Sequence, residues 1–414
     1  MIFTTLHAHS YTFLYKNNRT HRRRFQSKAI SLQQHLSDGT LMSKEPIRRH
    51  WSLAPFTFMY RMATGVRNKL FDWKILPSEE FDIPIISVGN LTVGGTGKTP
   101  HTEYLIGLLK DKYKVALLSR GYKRKSKGFQ LAKPTSSAKE IGDEPYQIKV
   151  KFPEIHVAVD ANRRHGIHSL CKRDESKDTE VILLDDAFQH RYVTPGINIV
   201  LMDYNRPIYE DALMPTGMLR EPVSSLYRAH VIIVTKCPKD IKPIDYRIVA
   251  KHLDLRPYQR LYFTTFDYGN MRSFNAPYEQ KTLSALSDQT HILLVTGIAS
   301  ATPLVEKLRE YTQFIIHMEY GDHHNFTRSE LQDISKTFAT IGATDKLIIT
   351  TEKDAARLST YPLDETITDN LYVLPIKVEF LQDQQHSFDN YITDYVSKNS
   401  RNRIVHQRTD AHKS

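Results

Sequence analysis

A glycine-rich run that ends in a lysine and a threonine is the strongest chemical signal in the sequence. It consists of Thr92, Val93, Gly94, Gly95, Thr96, Gly97, Lys98 and Thr99. The run follows an apolar segment and precedes a helix-like one, which is the order of a phosphate-binding loop. In such a loop backbone N–H groups surround phosphate oxygens, the lysine meets the β- and γ-phosphates, and the hydroxyl ligates Mg²⁺. The run therefore predicts a nucleotide site in which Lys98 also serves catalysis. The alternative is a plain glycine-rich turn, and Thr92 stands where the first glycine is expected.

Two adjacent carboxylates end another apolar segment. Asp185 and Asp186 directly follow residues 181–184. Strand ends at one edge of a parallel sheet converge on the ligand crevice. One of these acids can hold Mg²⁺ directly or through water, beside Thr99. Gln189 follows closely and is assigned to the same metal shell, and His190 is placed to orient water or phosphate. The alternative is that both acids are turn residues.

The elements that must position these residues are short apolar segments alternating with helix-like ones. The first set of apolar segments covers residues 83–88, 115–118, 155–159, 181–184, 197–202 and 231–234, and the second covers 292–295, 314–317, 347–350 and 372–374. Alternation of this kind predicts a buried, mostly parallel sheet wrapped by helices. The predicted fold class is α/β: a P-loop core, a smaller C-terminal α/β domain and an N-terminal amphipathic helix.

The composition along the chain predicts five regions. They are an extension at 1–41, expected to be disordered, a basic helical region at 42–80, the phosphate-loop core at 81–265, the smaller domain at 281–398 and a basic tail at 399–414, expected to fray. The first region is rich in arginine and carries no acid before Asp38. It is either an organelle transit peptide or an upstream extension ahead of a second start at Met42.

Residues 51–73 show helical periodicity. Their apolar positions recur every three or four residues, at Met59, Met62, Val66, Leu70 and Trp73. Tryptophans flank the segment, and basic residues accompany it, which suits the surface of an anionic membrane. Packing on its own domain is the alternative. Since no run of about 18 apolar residues occurs, any membrane contact is expected to be peripheral.

The bulk composition limits the partners. A formal charge of +11 on 414 residues suits an anionic partner. The two cysteines, Cys171 and Cys237, are far apart, so neither a disulfide framework nor a cysteine zinc site is supported. The sequence carries no nucleic-acid recognition module and implies no protein partner.

Seven motifs together resemble one enzyme family, the tetraacyldisaccharide 4'-kinases, over about residues 50 to 390. The motifs are SVGNLTVGGTGKTP at 87–100, SRGY at 119–122, GDEP at 142–145, DDAFQH at 185–190, LREP at 219–222, DHHNFT at 322–327 and TTEKDA at 350–355. The resemblance implies transfer of the γ-phosphate of ATP, with Mg²⁺, to the 4'-hydroxyl of a tetraacyldisaccharide 1-phosphate lipid A precursor, giving lipid IVA. It also implies a peripheral enzyme at the cytoplasmic face of the bacterial inner membrane. This chain departs from the family in its long start and in Ala187, where glycine is common.

The resemblance also assigns the acceptor side of the reaction. It implies that Asp143 is the catalytic base and that His323 assists it. Glu144, next to Asp143, is a further candidate for the Mg²⁺ shell. A carboxylate beside an acceptor hydroxyl can take its proton as the new bond forms. From the residues alone, a helix N-cap is the preferred interpretation of Asp143.

Several basic residues follow predicted strand ends. Arg120 and Arg220 are predicted to bind phosphate groups because the planar guanidinium matches phosphate oxygens. The cluster at 123–127 is expected to give a general attraction to anionic lipid. A base-reading role for Lys236, as in GTPases, is weak because the neighbouring residues that such sites require are missing.

Other classes of function remain open at this stage. The phosphate loop also suits a nucleotide-switch ATPase, and the net charge suits a nucleic-acid binder. Asp322, His323 and His324 resemble the metal ligands of some phosphoesterases, but adjacent side chains in extended chain point to opposite faces.

Overall fold

Parallel strands around β1 form the centre of the first sheet. A computed structural model describes residues 50–276, 278–298, 300–322 and 324–411, with side chains up to Ser400. In this part of the chain nine strands form the first sheet, in the order β15-β8-β7-β6-β1-β5-β2-β4-β3. The strands are β1 (Ile85–Asn90), β2 (Val115–Ser119), β3 (Gln130–Leu131), β4 (His156–Val159), β5 (Val181–Asp185), β6 (Ile197–Asp203), β7 (Val231–Thr235), β8 (Arg260–Tyr268) and β15 (Ile376–Phe380). Seven of these nine strands run parallel, and β3 and β15 pair antiparallel at the two edges.

A second sheet of six strands follows in the described part of the chain. Its order is β10-β9-β14-β13-β11-β12. The strands are β9 (Met271–Ser273), β10 (Gln280–Lys281), β11 (His291–Thr296), β12 (Ile315–Glu319), β13 (Lys346–Thr351) and β14 (Leu371–Leu374). All ten predicted apolar segments lie on strands, so the mixed α/β fold is confirmed.

Helices cover both sheets. They are α1 (Ala54–Asp72), α2 (Lys98–Leu109), α3 (Ala138–Ile141), α4 (Asp143–Lys151), α5 (Arg163–Lys172), α6 (Pro243–Leu253), α7 (Thr302–Arg309), α8 (Arg328–Thr340), α9 (Glu352–Leu358), α10 (Glu365–Thr368) and α11 (Gln385–Ala411). Short 3₁₀ turns occur at Trp51–Leu53, Ile208–Glu210, Val223–Arg228 and Leu283–Ala285. The central strands are buried along their whole length because helices lie on both faces.

The register of β1 decides where the chemistry lies. β1 pairs in parallel with β5 on one side and β6 on the other, and Val88 is aligned with Asp185. The loop after β1 and the acids that end β5 are therefore neighbours at the carboxyl edge. This is the edge at which open α/β sheets bind ligands.

The end of the chain returns to the first sheet. β15 pairs with β8, and α11 buries Phe388, Ile392 and Val396 in the core beside β1 and β6. The segment predicted as a smaller domain, 281–398, thus contributes to both sheets, and the proposed boundary near residue 281 stays a prediction. The backbone of α11 is helical to Ala411, and fraying of the tail stays a prediction. The predicted extension at 1–41 lies outside the described residues.

Helix α1 has two different faces. Its inner face is held by Tyr60, whose hydroxyl donates to the Arg220 carbonyl at 2.8 Å, and by buried Phe71. Its outer face exposes Met59, Met62 and Val66, each to more than half of its surface. The predicted amphipathic helix is confirmed, and its apolar stripe points away from the fold. Within the described residues, no helix is both long and apolar enough to cross a bilayer.

We predict that Phe388→Ala destabilises the protein by about 3–5 kcal/mol, the usual loss for a buried phenylalanine. Phe388 is 1% exposed and contacts the rings of Phe380 and Tyr262. Urea unfolding followed by circular dichroism measures the effect. The control is Asp394→Ala, an exposed site on the same helix, and equal midpoints for both variants would contradict the packing described.

Candidate active site

The phosphate loop takes its shape from two glycines. Gly94 and Gly97 have φ angles of 115° and 86°, which favour glycine strongly. A Cβ at Gly97 would also lie 2.5 Å from a ring carbon of Phe266. Thr92 lies outside the positive-φ region, so the missing first glycine costs nothing. Gly97 is the N-cap of α2, and the first N–H groups of this helix face the loop.

The loop is braced from both flanks. The Val93 N–H donates to the Met218 carbonyl at 2.8 Å, which ties the loop to the chain that carries the LREP motif. The side chain of Asn90 donates to Thr96 at 2.9 Å, and the Thr235 hydroxyl donates to the Thr96 carbonyl at 2.9 Å. The loop is therefore fixed by strands β1 and β7 before any ligand binds.

His101 is a structural residue that sequence reasoning missed. Its ring is buried in α2, with Nδ1 2.8 Å from the Gly97 carbonyl and Nε2 3.0 Å from the Thr264 hydroxyl. Burial lowers the pKa of His101 to about 4, so the ring is neutral at physiological pH. Its position one helical turn after Gly97 is the sequence signal for this contact.

Asp186 lies between two cations. Its carboxylate is 3.6 Å from the Lys98 ammonium and 3.0 Å from the Arg220 guanidinium. Burial pushes the pKa of Asp186 upward, but Lys98 and Arg220 outweigh it and hold that pKa below its usual value. Three predicted residues from different motifs therefore meet at one point. The backbone of Asp186 has a φ of 46°, which turns the chain sharply after β5.

Asp185 has the opposite electrostatic character. It is buried at the end of β5 and accepts a hydrogen bond from the Ser119 hydroxyl at 3.0 Å. Burial, followed by the charges of Glu144 and Asp186, raises the pKa of Asp185 to about 7. Burial and negative neighbours disfavour the ionised form of Asp185, so a cation bound beside it would stabilise that form. The charge of Glu144 thus acts on Asp185 at the end of β5. Such proximity is required for its predicted role in the metal shell.

The donor set fits Mg²⁺. Among the described residues, no cluster of three or more histidine, cysteine or carboxylate side chains forms a ready metal site. Mg²⁺ is commonly held by one or two carboxylates, with waters and substrate phosphates completing the octahedron. Asp185, a buried carboxylate at the end of β5 whose pKa is raised, is the kind of oxygen ligand that this ion uses.

Gln189 has a contact that bears on its predicted role. The side-chain N–H of Gln189 donates to the backbone carbonyl of Asn90 at 2.8 Å, and the backbone carbonyl of Gln189 accepts from the Arg67 guanidinium at 2.9 Å. Gln189 therefore braces the loop after β1 and joins it to α1. Its assignment to the metal shell stays a prediction.

Asp143 begins helix α4. The residue before it, Gly142, is the N-cap and has a φ of 94°, and a Cβ there would lie 3.0 Å from the Tyr122 carbonyl. The GDEP and SRGY turns therefore pack backbone against backbone, which explains a glycine in each. Asp143 is the first helical residue rather than the cap. Its Oδ2 accepts a hydrogen bond from Arg357 at 3.2 Å.

Arg357, which sequence reasoning did not single out, comes from the second sheet. It lies on α9, three residues after Asp354 of the TTEKDA motif, and is 3% exposed. A buried arginine requires an acidic partner, and the i, i+3 spacing from Asp354 is the available sequence signal. His323, the predicted partner of Asp143, lies outside the described residues.

Four arginines surround His190. They are Arg163, Arg67, Arg164 and Arg120, from α5, α1 and the loop after β2. Burial and then these charges lower the pKa of His190 to about 4. Arg163 is buried and donates to the Asp185 carbonyl at 2.9 Å, so it also supports the strand end. The exposed Arg120 is one of the four, so positive charge from three elements acts on His190.

Two weaker hypotheses can be compared with the structure. His324 bonds to Glu330 at 2.9 Å, and Asp322 lies 3.6 Å from Lys353, so both have partners other than a shared metal. Lys236 pairs with Asp203 at 2.7 Å beside the loop that ends β7. Neither arrangement supplies the features that a phosphoesterase metal pair or a GTPase base site needs.

Comparison with known proteins finds relatives over most of the chain. The model of the tetraacyldisaccharide-1-P 4'-kinase family matches residues 49–397. The tetraacyldisaccharide 4'-kinase of Phocaeicola vulgatus is 56% identical over 351 residues, which cover 84% of this chain and 96% of that protein. The enzyme of the same name from Bacteroides thetaiotaomicron is 51% identical over 382 residues, covering 90% of this chain and all of its own.

A solved structure is also similar. The crystal structure of LpxK from Aquifex aeolicus in complex with ATP superposes with a TM-score of 0.65 at 27% identity. The match covers 83% of this chain and 98% of that one. The phosphate loop, the acid pair and the whole-chain matches lead to one assignment: this chain belongs to the tetraacyldisaccharide-1-P 4'-kinase family.

Proposed function

We propose that this protein transfers the γ-phosphate of ATP to the 4'-hydroxyl of a tetraacyldisaccharide 1-phosphate, a step of lipid A biosynthesis that gives lipid IVA. The observation that carries the proposal is the meeting of Lys98, Arg220 and Asp186 beside the phosphate loop in a chain of this family. Phosphoryl transfer depends mainly on positioning and on charge stabilisation, and this arrangement supplies both.

On the donor side, the phosphate loop and the start of α2 hold the triphosphate. Lys98 exchanges its contact with Asp186 for the β- and γ-phosphates, and Arg220 stabilises negative charge on the transferred group. Thr99, Asp185 or Asp186, and Glu144 would hold Mg²⁺, which would neutralise charge on the phosphates. Gly94 and Gly95 have no protein atom within 4 Å of the Cβ position, so the loop has room for a ligand.

On the acceptor side, Asp143 takes the proton of the 4'-hydroxyl as the oxygen attacks phosphorus. The side chain is 31% exposed and therefore accessible to a substrate. His323 is proposed to assist Asp143.

The arginines around His190 are proposed to bind the phosphate that the acceptor already carries. A phosphate monoester is dianionic near neutral pH, and arginine pairs with it through two parallel hydrogen bonds. Arg120 and Arg164 are suited to this role because the charges of both act on His190.

Helix α1 is proposed to seat the enzyme on the cytoplasmic face of the inner membrane, where an acylated substrate resides. Its outer face combines exposed Met59, Met62 and Val66 with the exposed cations Arg61 and Lys69. Exposed apolar surface of this extent marks an interaction site, and cations beside it favour anionic headgroups. Attachment is peripheral.

We predict that Lys98→Ala and Asp143→Ala each abolish transfer to the glycolipid. Asp143→Ala retains ATP binding, because its carboxylate acts on the acceptor, whereas Lys98→Ala weakens it. Mass spectrometry of the acceptor after incubation with Mg·ATP detects one added phosphate, and calorimetry measures ATP affinity. Asp111→Asn, at an 80% exposed side chain, is the control. Phosphate transfer at the wild-type rate by Asp143→Ala would disprove its role as base.

We predict that Arg164→Ala raises the KM for the acceptor by roughly 10-fold or more, the loss expected for one charge-assisted pair of about 1.5–3 kcal/mol. The KM for ATP is expected to stay the same. The comparison substrate is an acyl disaccharide without the 1-phosphate, for which wild type and variant should be alike. Arg309→Ala, an exposed arginine on α7, serves as the control. An equal defect on both substrates would refute phosphate recognition by Arg164.

We predict that the double variant Met59→Ser/Met62→Ser binds vesicles of anionic phospholipid roughly 10-fold or more weakly, because each buried side chain contributes about 1.5–3 kcal/mol. Cosedimentation measures the partition. The matched control is Phe314→Ser/Ile316→Ser, which removes two apolar side chains of 43% and 44% exposure from the second sheet. Partitioning that is unchanged in the first variant would refute membrane docking by α1.

A further inference from the structure

Arg357 is held more firmly than a surface ion pair requires. It is 3% exposed and donates to the Gly297 carbonyl at 3.0 Å and to Asp354 at 2.9 Å. Asp354 is fully buried and is itself fixed by the Gly297 N–H at 2.9 Å and the Thr351 hydroxyl at 2.7 Å. A buried guanidinium with such partners has essentially one position. The second sheet therefore presents the Arg357 Nε–H as a fixed donor.

The Arg357 Nε–H donates its hydrogen bond to Asp143, the carboxylate that is proposed to face the acceptor hydroxyl of the glycolipid. Arg357 Nε contacts Asp143 Oδ2 at 3.2 Å, across the boundary between α9 and α4. Asp354 lies on α9, which follows β13 of the second sheet, and Gly297 directly follows β11 of the same sheet, whereas Asp143 begins α4 in the part of the chain that builds the first sheet. A bond from a fixed donor to one carboxylate oxygen limits rotation of the Asp143 side chain. It thereby determines where the other oxygen points.

Other contacts already hold α4 against α9. The Lys151 ammonium lies 2.8 Å from Glu352 and 2.6 Å from Glu103, and Arg272 of β9 pairs with the same Glu352. At the other end Tyr146 meets Ser359 at 3.4 Å. Because these contacts secure the two helices, the Arg357–Asp143 contact is not needed to join them. Its particular effect is on the orientation of the Asp143 carboxylate.

We propose that Arg357 is a positioning residue for phosphoryl transfer. It orients the carboxylate of Asp143 so that this group takes the proton of the acceptor hydroxyl while the hydroxyl oxygen attacks the γ-phosphorus. The inference rests on the proposed function. It makes the second sheet a contributor to catalytic geometry through a residue outside the DHHNFT motif. Well-oriented groups account for a large part of the rate of such reactions, so loss of the contact lowers kcat rather than binding.

The test compares Arg357→Gln with Arg272→Gln in the full-length protein. We expect Arg357→Gln to lower kcat roughly 100-fold, the usual cost of a small misplacement of a reacting group. The KM for ATP and the ATP affinity should stay within about twofold of wild type, since the phosphate loop is untouched. Arg272→Gln removes a cation from the same interface without contacting Asp143, and its kcat should remain near that of wild type.

Two further variants keep the test decisive if Arg357→Gln folds poorly. Asp354→Asn/Arg357→Gln removes both buried charges together and should show the same loss of kcat. Arg357→Lys keeps the charge beside Asp354 but loses the planar fork, so an intermediate loss of roughly 10-fold is expected, with a wild-type melting temperature. Wild-type kcat in folded Arg357→Gln or Arg357→Lys would overturn the inference, as would an equal loss in Arg272→Gln. Absence of glycolipid phosphorylation by the wild-type protein would instead refute the proposed function.

Discussion

The parallel pairing of β1 between β5 and β6 is the constraint on which the site depends. Because Val88 is aligned with Asp185, the phosphate loop and the acid pair leave the sheet at the same edge and at the same height. Parallel strands of this kind are stable only when helices cover both faces. The core residues that bury β1, including Phe388 from the far end of the chain, therefore maintain the spacing between Lys98 and Asp186.

Charge balance is the second organising feature of the site. Asp186 is stabilised by Lys98 and Arg220, whereas Asp185 is destabilised by burial and by its acidic neighbours. The two adjacent acids thus differ because one points to cations and the other into the protein. Around His190 the balance is reversed, since burial and then the charges of four arginines depress its pKa. A donor with its metal ion and an anionic acceptor would each relieve part of this imbalance.

The residues of the candidate site and those that contact them come from three separate parts of the fold. The first sheet supplies the phosphate loop and the acid pair, the second sheet supplies Arg357, and α1 contacts the same loops from the outside through Arg67 and Tyr60. The inner face of α1 thus bonds to Gln189 and Arg220 while its outer face is exposed and apolar. The helix proposed to meet the membrane is in direct contact with residues beside the proposed phosphate site.

The sequence alone determined the chemistry of the nucleotide side, because the phosphate loop, its strand and its helix are contiguous in the chain. Each of the ten apolar segments likewise overlaps a strand, because strands buried on both faces require unbroken apolar runs. Local spacing did not identify His101 as a brace or Arg357 as the partner of Asp143, because these contacts join residues 163 and 214 positions apart. Nor did periodicity decide which way the stripe of α1 faces. Only the packing of helices on two sheets fixed those answers, because long-range contacts depend on how the elements meet in space.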